Sequence, residues 1–397
     1  MASVVFYFQV HQPNRLRRYT IFSTDTNYFD DVRNEEICKK VAQKCYRPAN
    51  ATMLDLVRRH EGRFRISYSL TGTIIEQFRR WCPDVLCSFQ DLARTGCVEF
   101  IAETYYHSLS FLYSREEFVR QTQMHCNLME ELFGQRPRLF RNTELTYNND
   151  VAKVVEDMGF NAILAEGADH ILGYRSPNFL YRPPNCPSLR MLLKNYRLSD
   201  DIAFRFGNRS WGEWPMTAEK FTGWVDRING NGYVCNLFMD YETFGEHQWA
   251  DTGIFDFLRA LPDRILATGK NDFLTVSQAI DKYPVVGEID VPHMISWADT
   301  ERDLSAWVGN SMQANALHDL YALADDVLAS GDERLIQDWR KLQTSDHFYY
   351  MCTKWFADGD VHKYFNPYES PYDAYINYMN ILDSVRGRLT AGVKAPR

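Results

Sequence analysis

The chain has 397 residues, of which 45% are hydrophobic and 24% are charged, so it can form a globular protein with a large core. Its 52 acidic residues outnumber the 44 basic ones, and the formal net charge of -8 argues against nucleic acid or an anionic membrane surface as a partner. No apolar run is long enough for a transmembrane helix, and the first residues lack the basic region of a signal peptide.

Nine cysteines are scattered along the chain without a Cys-x-x-Cys pair. An odd number of cysteines, scattered in this way, argues against a disulfide framework or a zinc site. We therefore expect reduced thiols and a cytoplasmic protein. The sequence indicates neither a metal nor another cofactor, and it leaves the oligomeric state open.

Short β-type runs alternate with helical stretches through the first three quarters of the chain, a pattern typical of βα units around a parallel sheet. The runs predicted as strands are residues 4–10, 65–70, 97–101, 138–142, 161–165, 202–206 and 233–239. The helices predicted between them are 50–60, 84–95, 115–133 and 150–158. Seven such repeats favour a barrel over an open sheet, and this barrel would lack one of the usual eight units.

Beyond residue 307 the strand pattern disappears, and apolar residues recur at every third or fourth position up to residue 389. The sequence therefore predicts an α/β fold. An incomplete seven-stranded (β/α) barrel would occupy residues 1–300, and an all-α helical bundle packed on it would occupy residues 301–397.

Polar side chains follow most of the predicted strands. A single carboxylate after a strand is more often a helix cap or a solvated loop residue, but that explanation weakens when several strands share the feature. Two carboxyl groups with separated pKa values at one barrel mouth suit acid/base cleavage of a glycosidic bond. The polar residues at or just after the predicted strand ends are His11, Gln12, Glu99, Glu103, Glu144, Glu166 and Asp240.

Aromatic residues make up 14% of the chain and often stand in polar stretches, where rings can stack on sugars. Trp211, Trp214 and Trp297 are candidates for stacking on glucose units, although packing in the core would explain each of them equally well. Motifs of metalloproteases, serine α/β-hydrolases, P-loop enzymes and dinucleotide-binding folds do not occur in the sequence.

Five short segments, in this order, resemble the motifs of family 57 of the glycoside hydrolases. The segments are His11-Gln12-Pro13, Gly96-Cys97-Val98-Glu99, Thr143-Glu144, Asp240-Tyr241-Glu242-Thr243-Phe244-Gly245 and Ser345-Asp346-His347-Phe348-Tyr349. They extend over nearly the whole chain, so the resemblance is specific although each motif alone is weak. It implies an incomplete seven-stranded barrel followed by a helical bundle.

The resemblance implies a retaining mechanism with Glu144 as nucleophile and Asp240 as general acid/base. His11 and Glu99 would hold a sugar beside the scissile bond, and Asp346 would reach the site from the bundle. To these substrate-binding residues we add Gln12 and Glu103 from their places at strand ends, and Trp214 as a stacking candidate. The second, fourth and fifth motifs depart from the usual family residues, which leaves the specificity open.

The expected activity is α-amylase-like hydrolysis of an α-1,4-glucan or a maltooligosaccharide. A 4-α-glucanotransferase or a branching enzyme would use the same double displacement and stays an alternative. More distant alternatives are a metal-dependent polysaccharide deacetylase-like enzyme and a glucan-binding protein without catalysis.

Overall fold

A computed structural model describes residues 1–354 and 366–393 of the chain. The strands in these ranges are β1 (Ala2–Val10), β2 (Ile66–Leu70), β3 (Val98–Phe100), β4 (Leu139–Arg141), β5 (Ala162–Glu166), β6 (Leu180–Arg182), β7 (Arg190–Lys194), β8 (Val234–Asp240), β9 (Asn271–Phe273) and β10 (Val285–Glu288). They form two sheets, one ordered β3-β2-β1-β8 with β9 also on β1, and the other ordered β10-β6-β7-β5-β4.

Backbone contacts at two seams join these sheets into a barrel. A parallel bridge pairs Ala102, just after β3, with Phe140 of β4. At the other seam the backbone N–H of Asn195 donates to the carbonyl of Asn236 in β8 over 2.9 Å. The barrel wall therefore consists of β1, β2, β3, β4, β5, β7 and β8, which confirms the predicted seven-stranded barrel. All nine residues of β1 are buried, as expected of a strand covered on both faces.

Helices surround the barrel and form the C-terminal part. They are α1 (Asp31–Val41), α2 (Arg47–Arg59), α3 (Gly72–Trp81), α4 (Pro83–Arg94), α5 (Arg115–Phe133), α6 (Asn149–Asp157), α7 (Asp169–Leu172), α8 (Tyr196–Asp200), α9 (Ala218–Asp226), α10 (Ile254–Ala267), α11 (Val276–Lys282), α12 (Ser305–Val308), α13 (Ser311–Ala322), α14 (Ala324–Ala329), α15 (Glu333–Lys341), α16 (Ser345–Tyr349) and α17 (Pro371–Val393). The four helices predicted in the barrel correspond to α2, α4, α5 and α6. The Ser114 side chain caps α5 as its position before the helix predicted.

The strand predicted over residues 202–206 is wrong. Residues Asp201–Arg205 form a π-helical turn that continues α8. Arg205 pairs with Asp201 four positions earlier, an interaction that a helical backbone allows. The barrel position is taken by β7, a short strand that the sequence pattern did not indicate, and β6, β9 and β10 were also not predicted.

The helical bundle shares its core with the beginning of the chain. Leu16, Tyr19 and Leu109 belong to the same buried cluster as the bundle residues Trp339 and Tyr378. The predicted bundle therefore packs on the barrel through an extensive contact. The division at residue 300 stays a prediction.

Charged and polar side chains reinforce this contact. Arg340 of α15 donates to Glu117 of α5 over 2.8 Å, and the Gln121 amide donates to Gln343 over 2.8 Å. Glu117, Gln121 and Gln343 are buried, so these bonds form away from solvent. An unpaired carboxylate or amide there would be costly, which ties α5 to the bundle.

None of the helices in the described ranges has the length and apolar character needed to span a bilayer. All nine cysteines are free thiols, and only Cys87 is exposed. The sulfur atoms of Cys38 and Cys82 lie 3.8 Å apart, a thiol contact and not a disulfide.

Trp339→Ala tests whether barrel and bundle unfold together. Trp339 is fully buried and its indole donates to the Leu320 carbonyl over 2.9 Å. Truncation leaves a cavity and should lower the free energy of unfolding by about 3–5 kcal/mol. Calorimetry should show one transition displaced to lower temperature as a whole. Two transitions, with only one displaced, would contradict a shared cooperative core.

Candidate active site

A cavity opens at the carboxyl ends of the barrel strands, between the barrel and α16 of the bundle. It encloses about 1310 Å³ of empty space including its mouth, which suits a small-molecule ligand. Five of the predicted site residues line it, namely His11, Gln12, Glu144, Asp240 and Asp346. The fold thus brings residues from both ends of the chain to one space.

The other three predicted site residues lie outside the lining of this cavity. Glu103 is fully buried one layer behind it. Glu99 accepts hydrogen bonds from the backbone N–H and the hydroxyl of Ser277 at the start of α11. Trp214 lies on the surface, 43% exposed, with the Arg209 guanidinium 5.8 Å from its ring centre.

Glu144 occupies a strained turn that directly follows β4. Its backbone has φ 57° and ψ 25°, a left-handed conformation that non-glycine residues rarely adopt. The Asn142 amide donates to the Thr146 carbonyl over 3.1 Å and closes the turn. The Trp297 backbone N–H donates to the Glu144 carbonyl over 3.2 Å. Strain of this kind persists where surrounding contacts enforce it, commonly at functional sites.

Three side chains from separate parts of the fold contact the Glu144 carboxylate. The Trp297 indole N–H donates to Oε2 over 2.7 Å. His107 Nε2 lies 3.1 Å from Oε1, and the Ser345 hydroxyl donates to the same oxygen over 3.3 Å. An ionised carboxylate only accepts hydrogen bonds, so this set of donors fits a charged, fixed Glu144.

His107 lies between two carboxylates. Its Nδ1 is 3.1 Å from Glu103 and its Nε2 is 3.1 Å from Glu144. Only the imidazolium can donate from both nitrogens. Burial alone would lower the pKa of His107, but hydrogen bonds to the two carboxylates raise it to about 9. Burial would raise the pKa of Glu103, yet its hydrogen bond to His107 lowers it to about 2.

His11 stacks on His107 with 4.0 Å between the ring centres. Burial, and next the charge of His107, lower the pKa of His11, so its ring is neutral at pH 7. Its Nε2 lies 3.0 Å from Asp346 and its Nδ1 lies 2.9 Å from the Thr71 hydroxyl. A neutral ring that donates to Asp346 and accepts from Thr71 satisfies both contacts.

Asp240 ends β8 and is half-buried at the cavity wall. Two residues later Glu242 is buried and accepts a hydrogen bond from the Tyr46 hydroxyl. Burial, and next the charge of Asp240, raise the pKa of Glu242 to about 8, so Glu242 keeps its proton at neutral pH. The following turn needs glycine at Gly245, because a Cβ there would lie 2.0 Å from the Lys44 carbonyl oxygen.

A buried ionic network forms another wall of the cavity. Lys194, the last residue of β7, lies 3.0 Å from Asp200 and 3.7 Å from Glu166. Arg302 lies 3.4 Å from Glu166 and 3.6 Å from Asp200. The two cations and two carboxylates balance one another, as buried charges must.

The same network holds the loop that carries Trp297. Arg302 donates to the Trp297 carbonyl, and the Trp297 ring has the Arg141 guanidinium 4.8 Å and the Lys194 ammonium 5.4 Å from its centre. Cations near an aromatic ring are attracted to its π-face. Trp297 was predicted only as a stacking candidate, and its indole N–H contact with Glu144 was not foreseen.

His107, Lys194 and Arg302 are among the residues that line the cavity and were not predicted as part of the site. His107 lies in the loop after β3, four residues after Glu103, and this spacing carries no signal outside a helix. Lys194 ends the strand that the sequence pattern missed. Arg302 belongs to an irregular loop, in which its own φ is 55°.

Within residues 1–354 and 366–393, His, Cys, Asp and Glu side chains do not form a group of three or more that could hold a metal ion. The two stacked histidines have other partners. His107 contacts two carboxylates, and His11 contacts a hydroxyl and one carboxylate.

Comparisons with known proteins agree with this architecture. The model of the glycosyl hydrolase family 57 matches residues 5–292. A protein of Methanocaldococcus jannaschii, described as "Putative alpha-amylase", is 44% identical over 393 residues, which are 96% of this chain and 83% of that protein. The fold is similar to a family 57 branching enzyme from Thermococcus kodakaraensis, with a TM-score of 0.70, 14% identity, and coverage of 100% of this chain and 92% of that one. A 4-alpha-glucanotransferase from Thermococcus litoralis gives a TM-score of 0.70 at 13% identity, over 96% of this chain and 59% of that one.

The pairing of His107 predicts a pH dependence of stability. A histidine with a pKa raised from 6.5 to about 9 stabilises the fold fully below pH 6.5, and this contribution is lost as the pH rises through about 9. Denaturant unfolding should therefore show that the wild type loses more free energy of unfolding between pH 6 and pH 9.5 than His107→Gln does.

The exposed His318 provides a matched control, since His318→Gln removes a histidine that faces solvent. The pH dependence of that variant should follow the wild type. Parallel curves for wild type and His107→Gln would contradict a protonated His107 between the two carboxylates.

Proposed function

The chain belongs to glycoside hydrolase family 57, and from that membership and the cavity we propose that it is a retaining α-amylase-type hydrolase of α-1,4-glucans. The observation that carries the proposal is the presence of Glu144 and Asp240 in one cavity, with Glu144 fixed by three donors. A fixed, ionised carboxylate is the group that a covalent glycosyl intermediate requires.

In the first step a Glu144 carboxylate oxygen attacks the anomeric carbon as the glycosidic C–O bond breaks. Asp240 gives its proton to the leaving oxygen. In the second step Asp240 takes a proton from water, whose oxygen attacks the same carbon and displaces Glu144. Two displacements leave the anomeric configuration unchanged, and both carboxyl groups return to their starting states.

The surroundings support these two roles. The donors on Glu144 favour its ionised form, and one of these donors, His107, is positively charged. Asp240 lies beside the buried Glu242, and the interaction of the two carboxyl groups favours the state in which one of them keeps a proton, which a general acid requires. His11, Gln12 and Asp346 line the cavity and are proposed to bind the sugar beside the scissile bond.

Transfer to a second sugar is the other candidate function. Its support is the similarity in fold to a 4-alpha-glucanotransferase and to a branching enzyme. In transfer, a sugar hydroxyl replaces water in the second step while both carboxyl groups keep their roles.

Two substitutions separate the proposed roles. Glu144→Gln should lower kcat on maltoheptaose by more than about ten-thousandfold, because an amide cannot form the intermediate. Asp240→Asn should lower it by about 10²–10⁴-fold. A maltosyl fluoride, whose leaving group needs no proton, should restore formation of the glycosyl intermediate in Asp240→Asn and not in Glu144→Gln. Equal behaviour of the two variants on the fluoride would contradict the assignment.

The products from maltoheptaose distinguish hydrolysis from transfer. If water is the acceptor, chromatography should show only shorter maltooligosaccharides, and NMR of the fresh product should show the α-anomer. Products longer than maltoheptaose would show that the enzyme transfers glucan units to a second sugar, and would contradict the proposed hydrolysis. A β-anomer would contradict the double displacement altogether.

A further inference from the structure

Three large aromatic side chains are exposed on two stretches of the chain, residues 204–214 and residues 247–252, each of which contributes a residue to the cavity lining. Phe204 is 45% exposed, Trp214 is 43% exposed and Trp249 is 51% exposed. We call these three residues the aromatic rim. Scattered single apolar residues are ordinary on a protein surface, but several large rings on adjoining segments mark a binding surface.

Gln248 ties the two segments together. Its side-chain amide donates to the Ala203 carbonyl over 2.8 Å, and its side-chain oxygen accepts from the Gly207 N–H over 2.9 Å. The approach is close, because a Cβ on Gly207 would lie 2.6 Å from the Gln248 oxygen and 3.2 Å from Thr252. The segment that carries Phe204 and the segment that carries Trp249 are therefore held at a fixed separation.

The aromatic rim is continuous with the cavity. Ala203, Phe204 and His247 line the cavity itself. Trp249 follows His247 by two residues, and its carbonyl accepts the Thr252 N–H over 3.0 Å in the first turn after it. A chain molecule that leaves the cavity past Phe204 and His247 meets this surface next.

Each tryptophan of the aromatic rim also has a cation beside it. The Lys44 ammonium lies 5.0 Å from the Trp249 ring centre, and the Arg209 guanidinium lies 5.8 Å from the Trp214 ring centre. These contacts favour fixed ring orientations. A sugar ring has an apolar C–H face that can stack on an aromatic ring, and hydroxyl groups at its edge that accept hydrogen bonds from Lys or Arg.

We propose that the aromatic rim binds the part of an α-glucan that extends out of the cavity. The inference rests on the proposed function and refines its substrate class, because a rim of this kind favours long chains over short oligosaccharides. Phe204 contacts the chain at the cavity mouth, and Trp249 and Trp214 contact sugar units farther along it.

The test is binding of glycogen by protein with the Glu144→Gln substitution, measured by retardation in native gels that contain glycogen. Adding Trp249→Ala should raise the apparent Kd for glycogen about threefold to tenfold, the effect of losing one stacking contact. Trp249→Phe should keep most of the binding. Tyr372→Ala removes an exposed ring from α17 of the bundle and should bind as the parent does.

In the active enzyme, Trp249→Ala should lower kcat/KM for glycogen by a similar factor and leave kcat/KM for maltotriose unchanged. An unchanged Kd for glycogen overturns the proposal while turnover of maltooligosaccharides leaves the enzyme activity in place. The opposite outcome is also distinguishable. If the wild type does not turn over any α-glucan but glycogen binding depends on Trp249, the proposed function is overturned and the proposal for the aromatic rim stands.

Discussion

The site depends on the hydrogen bonds that converge on the Glu144 carboxylate. Their donors lie on three parts of the molecule: the loop after β3, the loop before α12, and the bundle helix α16. The left-handed backbone of Glu144 gives its side chain the direction that these donors require. A nucleophile must be held in position and charged, and these donors suit that proposed role of Glu144, with the bundle supplying the Ser345 hydroxyl.

Charged and neutral titratable side chains alternate around the cavity. His107 is a cation between Glu103 and Glu144, while the stacked His11 is neutral. Beside the end of β1, Glu242 is a neutral acid next to Asp240. Alternation of charged and neutral groups allows many titratable side chains in one buried space without strong repulsion. It also gives the two proposed catalytic carboxyl groups different surroundings, as acid/base cleavage requires.

Local pattern predicted six of the seven barrel strands, the helical C-terminal part, and His11, Gln12, Glu144 and Asp240 of the cavity, whereas Asp346 was implied only by the family resemblance. These features depend on short runs and on strand ends, which a sequence displays directly. The strand over residues 202–206 failed because alternating apolar residues also fit a turn stabilised by the Asp201–Arg205 pair. His107 and the contact between Trp297 and Glu144 could not be predicted, because their partners lie 37 and 153 positions away and only the closed barrel brings them together.

Trapping the covalent intermediate tests the central claim most directly. The wild type would be incubated with a 2-deoxy-2-fluoro maltosyl donor that carries a good leaving group, because the fluorine slows breakdown of the intermediate. Mass spectrometry of the proteolytic peptides should then find the added sugar on Glu144, with the peptide of Asp240 unmodified. A sugar attached to another carboxylate, or turnover of the donor without any adduct and with inversion at the anomeric carbon, would contradict the account.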